Sequence, residues 1–231
     1  MAQHDDLAPE EIKRRNFLMQ ILATATFLGT GVTSAPAKTE NNSPKRGIHL
    51  IEGKVYVNEI EATINTPILA NDRIKTGKNG RLVFAVGHDA FILRNNTELV
   101  LESNGLLVGG LRLVTGKLLG VFGKSNHQIS TNLGLLGIRG TGLYAEAEPD
   151  LTYFCTCYGE TDISSIALPN RVITVKSKHH DAPKYITASG EIKPAPFINH
   201  TDEELMLIES LVGRTTPFAA FDDDYSGPNK Y

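Results

Sequence analysis

From Gly47 onward the sequence is a succession of short apolar runs, and that succession limits the fold more than any other feature. RLVFAV (81–86), AFILR (90–94), TELVLE (97–102), LLVGGLRLV (106–114) and KLLGVF (117–122) follow at close intervals. TGKNG (76–80), GHD (87–89), NN (95–96) and TGK (115–117) divide them, and Gly, Asn and Asp are the residues that tight turns need. GKVYVNEIEA (53–62) alternates apolar and polar residues, with Asn58 at a turn. No run keeps a helical period beyond two turns. The expected fold is therefore mainly β: a single sandwich or roll of many short antiparallel strands. RVITV (171–175) and KYITAS (184–189) continue the strand pattern. A helix is expected only at 202–212. There Thr201 and Glu204 form a capping box, Leu205, Ile208, Leu211 and Val212 share a face, and Gly213 ends it. It should pack on the β domain.

The N-terminal segment is of another kind. Lys13, Arg14 and Arg15 precede Asn16-Phe17-Leu18, a moderately apolar stretch with Gly29 and Gly31, and the small-residue site Ala35-Pro36-Ala37. This order resembles a twin-arginine export signal. The implied organisation is a signal at 1–37, a polar lead-in at 38–46, the β domain at 47–190, and a helix and tail at 191–231. The expected location is the periplasm, with membrane association only if the first segment stays uncleaved. The 231 residues carry a net charge of −3 and no basic stripe, so nucleic acid is excluded as a partner. FDDDY (221–225) reads as a solvated acidic tail.

Both cysteines of the chain lie in YFCTCYG (153–159). Residues two apart on a strand share a face, so Cys155 and Cys157 should project together with Tyr153. A regular strand disfavours a disulfide between them, because Cβ atoms must approach to roughly 4 Å. Lys178-His179-His180-Asp181 follows about twenty residues later, near enough to close a hairpin. Two thiolates with His179 and His180 would make a Cys2His2 site for a zinc-like transition metal. Asp181 is a candidate acceptor behind a ligating imidazole, and His200 is a further candidate ligand. Buried apolar thiols and a redox pair remain alternatives at this stage. No G-x-S-x-G, H-E-x-x-H or P-loop is present, and no catalytic residue is assigned. Glu146 and Glu148 read as a solvated edge before Pro149.

An ordered set of short pieces also carries a resemblance. It runs from Gly53-Lys54-Val55-Tyr56-Val57-Asn58 through Asn71-Asp72-Arg73-Ile74-Lys75-Thr76-Gly77, Gly80-Arg81-Leu82 and Leu113-Val114-Thr115-Gly116-Lys117-Leu118. It closes on Gly137-Ile138-Arg139-Gly140-Thr141. The set resembles the FecR domain, a β-rich periplasmic module, over about Gly53 to Gly159. The resemblance implies an exported, non-catalytic domain that binds a small ligand or an envelope protein. The anti-sigma activity of such regulators is not expected here, because only about a dozen residues precede the arginines. Within the set, Gly77 and Gly80 should permit turns with positive φ, and Asp72 should bond the turn that follows it. Arg139, beside Thr141, should be a buried arginine that locks a sheet corner; a carboxylate-binding arginine is the alternative.

Overall fold

The structure is a computed structural model of the full chain, and it describes residues 46–104, 107–124 and 126–220. The signal-like segment, the lead-in up to residue 45 and the acidic tail at 221–231 lie outside the described residues. The first eight strands are β1 (Gly47–Glu52), β2 (Val55–Val57), β3 (Ile60–Glu61), β4 (Arg73–Thr76), β5 (Arg81–Val86), β6 (Asp89–Leu93), β7 (Glu98–Asn104) and β8 (Leu107–Val121). Then come β9 (Asn126–Ser130), β10 (Gly134–Ala147), β11 (Leu151–Ser165), β12 (Val172–Ser177), β13 (Lys184–Thr187) and β14 (Ile192–Pro194). One helix, α1 (Asp202–Leu211), and a 3-10 turn at Pro217–Ala220 complete the described chain. No helix among the described residues is long and apolar enough to cross a membrane.

All 14 strands belong to one continuous sheet. The chain is mainly β with many short antiparallel strands, as expected, and two features add to that pattern. β8, β10 and β11 run for 15, 14 and 15 residues, and β8 pairs β9 in parallel. The long strands change partners midway. The first half of β8 lies between β7 and β9, and its second half between β6 and β10. β10 passes from β9 to β8 across a register shift between Arg139 and Gly142. The sheet thereby folds over itself into two layers. Gly159 marks the bend on β11: its φ is +93°, and a Cβ there would sit 2.5 Å from Thr141 Cγ2.

Leu99, Leu101, Leu111, Leu113 and Ile129 of one layer meet Leu82, Phe84, Phe91, Leu93, Leu143 and Phe154 of the other in one inner core. The alternate residues Val83, Ile92, Leu119, Val121 and Tyr144 are buried as well. By the period-2 rule they face outward, and α1 packs on β6 and β8 there. Leu205 and Ile208 of the helix are fully buried, each contributing roughly 1.5–3 kcal/mol. The helix starts as expected, with Thr201 accepting from the Glu204 amide and Glu204 accepting from the Thr201 amide.

Several local expectations are corrected. Gly77 and Gly80 do not have positive φ; Gly80 is required because a Cβ would sit 2.5 Å from the Lys54 carbonyl. In the turn between β2 and β3 the positive-φ residues are Asn58 and Glu59. Asp72 bonds backwards: it accepts from the Leu69 amide and the Asn58 side chain. Arg139 is neither a buried corner nor a pocket residue. It is exposed and pairs with Asp162 and Glu160 on the neighbouring strand. Thr141 beside it is fully buried. Glu146 is buried rather than solvated, accepting from the Tyr144 hydroxyl and from Asn199 Nδ2.

Candidate metal centre

β11 sets Cys155 opposite Tyr144 on β10, with Phe154 turned to the inner core. Alternation then puts Tyr153, Cys155 and Cys157 on the other face, and all three are buried. The chain covers that face twice. After β12, Asp181 Oδ2 accepts from the Lys178 and His179 amides, which turns the backbone back towards β11. His180 adopts φ +54° and donates its amide to the Cys157 carbonyl at 2.8 Å. A left-handed histidine is uncommon and is held by its surroundings. The second cover is the strap at 197–201. Asn199 also has positive φ, and its side chain is tied to Glu146. His200 follows, stacked on the Tyr144 ring with centroids 4.5 Å apart.

Four side chains converge between these covers. Cys155 Sγ lies 3.4 Å from His180 Nδ1, and Cys157 Sγ lies 3.4 Å from His200 Nε2. The two ring nitrogens are 3.1 Å apart. All four atoms lie within 4.8 Å of one another, and all four residues are buried. For a tetrahedral zinc with Zn–S of about 2.3 Å and Zn–N of about 2.0–2.1 Å, sulfur and nitrogen should be about 3.5 Å apart and the nitrogens about 3.3 Å. The two sulfur–nitrogen distances and the nitrogen–nitrogen distance given above match these to within a few tenths of an ångström.

The far nitrogens decide the tautomers. His200 Nδ1 lies 2.7 Å from the Ile198 carbonyl, which can only accept, so Nδ1 carries the hydrogen. His180 Nε2 lies 2.9 Å from Asp202 Oδ1 and donates to that carboxylate. Two neutral imidazoles would then aim lone pairs at each other across 3.1 Å. These lone pairs can be met by the thiol hydrogens of Cys155 and Cys157, by a proton on one ring, or by a metal ion. The surroundings of His180 favour its charged form. Burial opposes charge on His180, but Asp202 and Cys155 outweigh it and hold its pKa above the ordinary value. Burial likewise opposes a thiolate at Cys155, yet Cys157, His180 and His200 beside the sulfur hold it well below the usual thiol range. Burial and the adjacent Cys155 push Cys157 well above it.

Of the four ligands expected from sequence, Cys155, Cys157 and His180 come together. His179 does not join them. Its Nε2 lies 2.8 Å from Asp202 Oδ2, and its ring stacks on Phe218. His200 takes the fourth position. Asp181 serves the turn, and the acceptor behind the ligating imidazole is Asp202. In the sequence Asp202 is the first residue after a helix cap, where an acid is explained by the helix dipole alone. Only the fold shows that its carboxylate also reaches both histidines.

No protein-family model matches the chain, and no curated protein matches it. Among solved structures, it is similar to two crystal structures of an anti-sigma-factor candidate from Parabacteroides distasonis ATCC 8503, at 2.50 and 1.65 Å resolution. The TM-score is 0.45 for both, with 11% and 12% identity over 53% of this chain. The chain spans 58% of the length of those solved chains.

Proposed function

We propose that this chain is a non-catalytic β domain that binds one zinc-like transition metal ion through Cys155 Sγ, Cys157 Sγ, His180 Nδ1 and His200 Nε2. The observation that carries the reading is the pair of imidazole lone pairs facing each other at 3.1 Å between two thiol sulfurs. Four protein ligands leave no position for substrate, so the ion would be structural or sensory. Its mechanical effect would be to clamp the strap at 197–201, and α1 behind it, onto β11. Asp202 would orient His180 and raise its basicity, and the Ile198 carbonyl would do the same for His200. The FecR-like order of motifs and the export-like first segment support placing this domain in the cell envelope.

A second reading starts from Cys155, His180 and Asp202, which line up as nucleophile, base and orienting acid. Full burial of both sulfurs disfavours it, because no substrate carbonyl can approach.

Elemental analysis of protein purified without added metal or chelator tests the proposal, with cobalt(II) substitution as the optical readout. One equivalent of metal and the visible bands of tetrahedral, thiolate-ligated cobalt are expected. His200→Ala and the Cys155→Ser/Cys157→Ser double variant should lose the ion, whereas His179→Ala should keep it. A metal-free protein that also fails to take up cobalt would overturn the reading. Loss of the ion in His179→Ala but not in His200→Ala would replace the ligand set.

A further inference from the structure

The His180 ring has two working sides. Its Nδ1 faces the sulfur of Cys155, and its Nε2 faces away from it, 2.9 Å from Asp202 Oδ1. On that far side the other carboxylate oxygen, Asp202 Oδ2, lies 2.8 Å from His179 Nε2. His179, His180 and Asp202 each place a ligand atom within 4.8 Å of the other two. Two imidazoles and one carboxylate are a known type of donor set for zinc and its neighbours. A carboxylate that only oriented His180 would need one imidazole, and Asp202 holds two.

This second cluster differs from the first in its access to water. The side chains of His179 and Asp202 are each 18% exposed, against 3% for His180. Three protein ligands with a solvent side leave one coordination position open. Both rings are already held in place. His179 stacks on Phe218 with centroids 4.3 Å apart, and the His180 backbone is tied to the Cys157 carbonyl. A tetrahedral ion needs nitrogen–oxygen edges of about 3.4 Å, so each contact must open by about half an ångström. The positive end of α1 opposes a cation here, but the first turn of the helix carries Asp202 and Glu203 to offset it. Glu204 is already paired with Arg94.

We propose that His179 Nε2, His180 Nε2 and the Asp202 carboxylate bind a second zinc-like ion, joined to the first through the His180 ring. The bridge rests on the centre of Cys155, Cys157, His180 and His200 proposed above. As the second ion binds, the His179 hydrogen moves from Nε2 to Nδ1. The hydrogen on His180 Nε2 leaves to water, and the ring then joins two cations as imidazolate. The two ions repel each other across the ring, and the second has one protein ligand fewer. It is therefore the weaker of the two and fills only when metal is in excess, so protein purified without added metal carries the first alone. Its open position faces solvent and can take water or a small anion, which the closed first site cannot.

The test is a cobalt(II) titration of the metal-free full chain, followed by optical and electron paramagnetic resonance spectra. The first equivalent should bring the intense bands of thiolate-ligated cobalt. The second should add weaker bands without sulfur character and depress the resonance signal of the first, because an imidazolate bridge couples the two spins. His179→Ala should keep the first-equivalent bands, which also show that it folds, and lose the second equivalent with its coupling. Asp202→Asn should lose the second equivalent as well, while still binding the first. A parent that binds one equivalent only would overturn the second site and leave the first standing; a parent that binds none would overturn both. A second equivalent that survives in His179→Ala, or that leaves the resonance signal undiminished, would be an adventitious ion only and would overturn the bridge. Loss of the first equivalent in a folded His179→Ala would put His179 in the first site and overturn it equally.

Discussion

Helix α1 is fastened to the sheet in two chemically different ways. At its first turn Arg94 Nη2 donates to both Glu204 oxygens, at 2.9 and 2.7 Å, and to the Asn199 carbonyl at 2.7 Å. Both side chains are buried and their charges cancel. Beside it, the strap is held by His200 against Cys157, and the first residue of the helix, Asp202, is held against His180. Here the groups that meet are two thiols and two ring nitrogens whose far sides already donate elsewhere. In the first contact the charges are balanced within the chain, and Arg94 Nε is buried without a hydrogen-bond partner. The second brings two thiols and two facing ring nitrogens together, and the proposed ion would complete it. Two neighbouring anchors of similar burial therefore differ in chemistry: one is a balanced ion pair, and the other a set of groups able to hold the proposed ion.

The largest expected effect tests the ion-paired anchor. Arg94→Met should leave the Glu204 carboxylate buried without its counter-ion and destabilise the protein by about 3–5 kcal/mol. Chemical denaturation with and without a metal chelator should give the same loss in both conditions. A loss that vanishes in one condition would mean that the two anchors act as one unit, and the comparison would fail.

Metal removal tests the incomplete anchor. A free ion at a thousand times its dissociation constant stabilises the native state by roughly 4 kcal/mol. For a chain of this size that is about 8–16 °C in Tm. Chelation should produce a shift of this order, and the Cys155→Ser/Cys157→Ser variant should show none. An unchanged melting curve in the parent protein would sink the metal reading.

Asp202→Asn should act more gently. It keeps the helix start but replaces a carboxylate acceptor by an amide, which should weaken metal affinity about 10–100-fold, or about 1.4–2.7 kcal/mol. The metal-free protein adds a pH signature. Burial raises the Asp202 pKa, but His180 and His179 outweigh it, and the net shift is downward. A carboxyl with a lowered folded pKa contributes stability above its unfolded value of about 3.9, and loses it as pH falls through the folded value. Stability against pH in the metal-free parent should therefore drop on the acid side. The Asn variant should lack that component.

Part of this contrast was legible in the sequence. Strand alternation placed the two cysteines on one face, and the Thr201/Glu204 capping box placed the helix start to the residue. The choice between His179 and His180 was not legible. Adjacent histidines point in different directions, and which one turns inward is set by the left-handed backbone at His180 and its amide bond to Cys157. Arg94 gave no signal, because its partner Glu204 lies 110 residues away. The folding of the sheet into two layers was also hidden. Apolar runs and turns mark where strands are, but β8 and β10 change neighbours within uninterrupted strand sequence.

The smallest expected effect concerns Arg139, which the sequence marks strongly, between two glycines in a FecR-like motif. Its side chain is 62% exposed, in a cross-strand group with Asp162, Glu160 and Lys176. The pairs resemble Arg94–Glu204 in chemistry and distance, but water screens them and either partner can be solvated when the other is lost. Arg139→Ala should therefore cost under about 0.5 kcal/mol, and adding salt should reduce even that. A loss of 2 kcal/mol or more would mean that the arginine braces the bend between Arg139 and Gly142, where β10 shifts register. Solvent exposure would then no longer separate anchors that carry stability from those that do not. The Arg94 and Arg139 variants measured side by side test whether burial, rather than the ion pair itself, gives the helix anchor its weight.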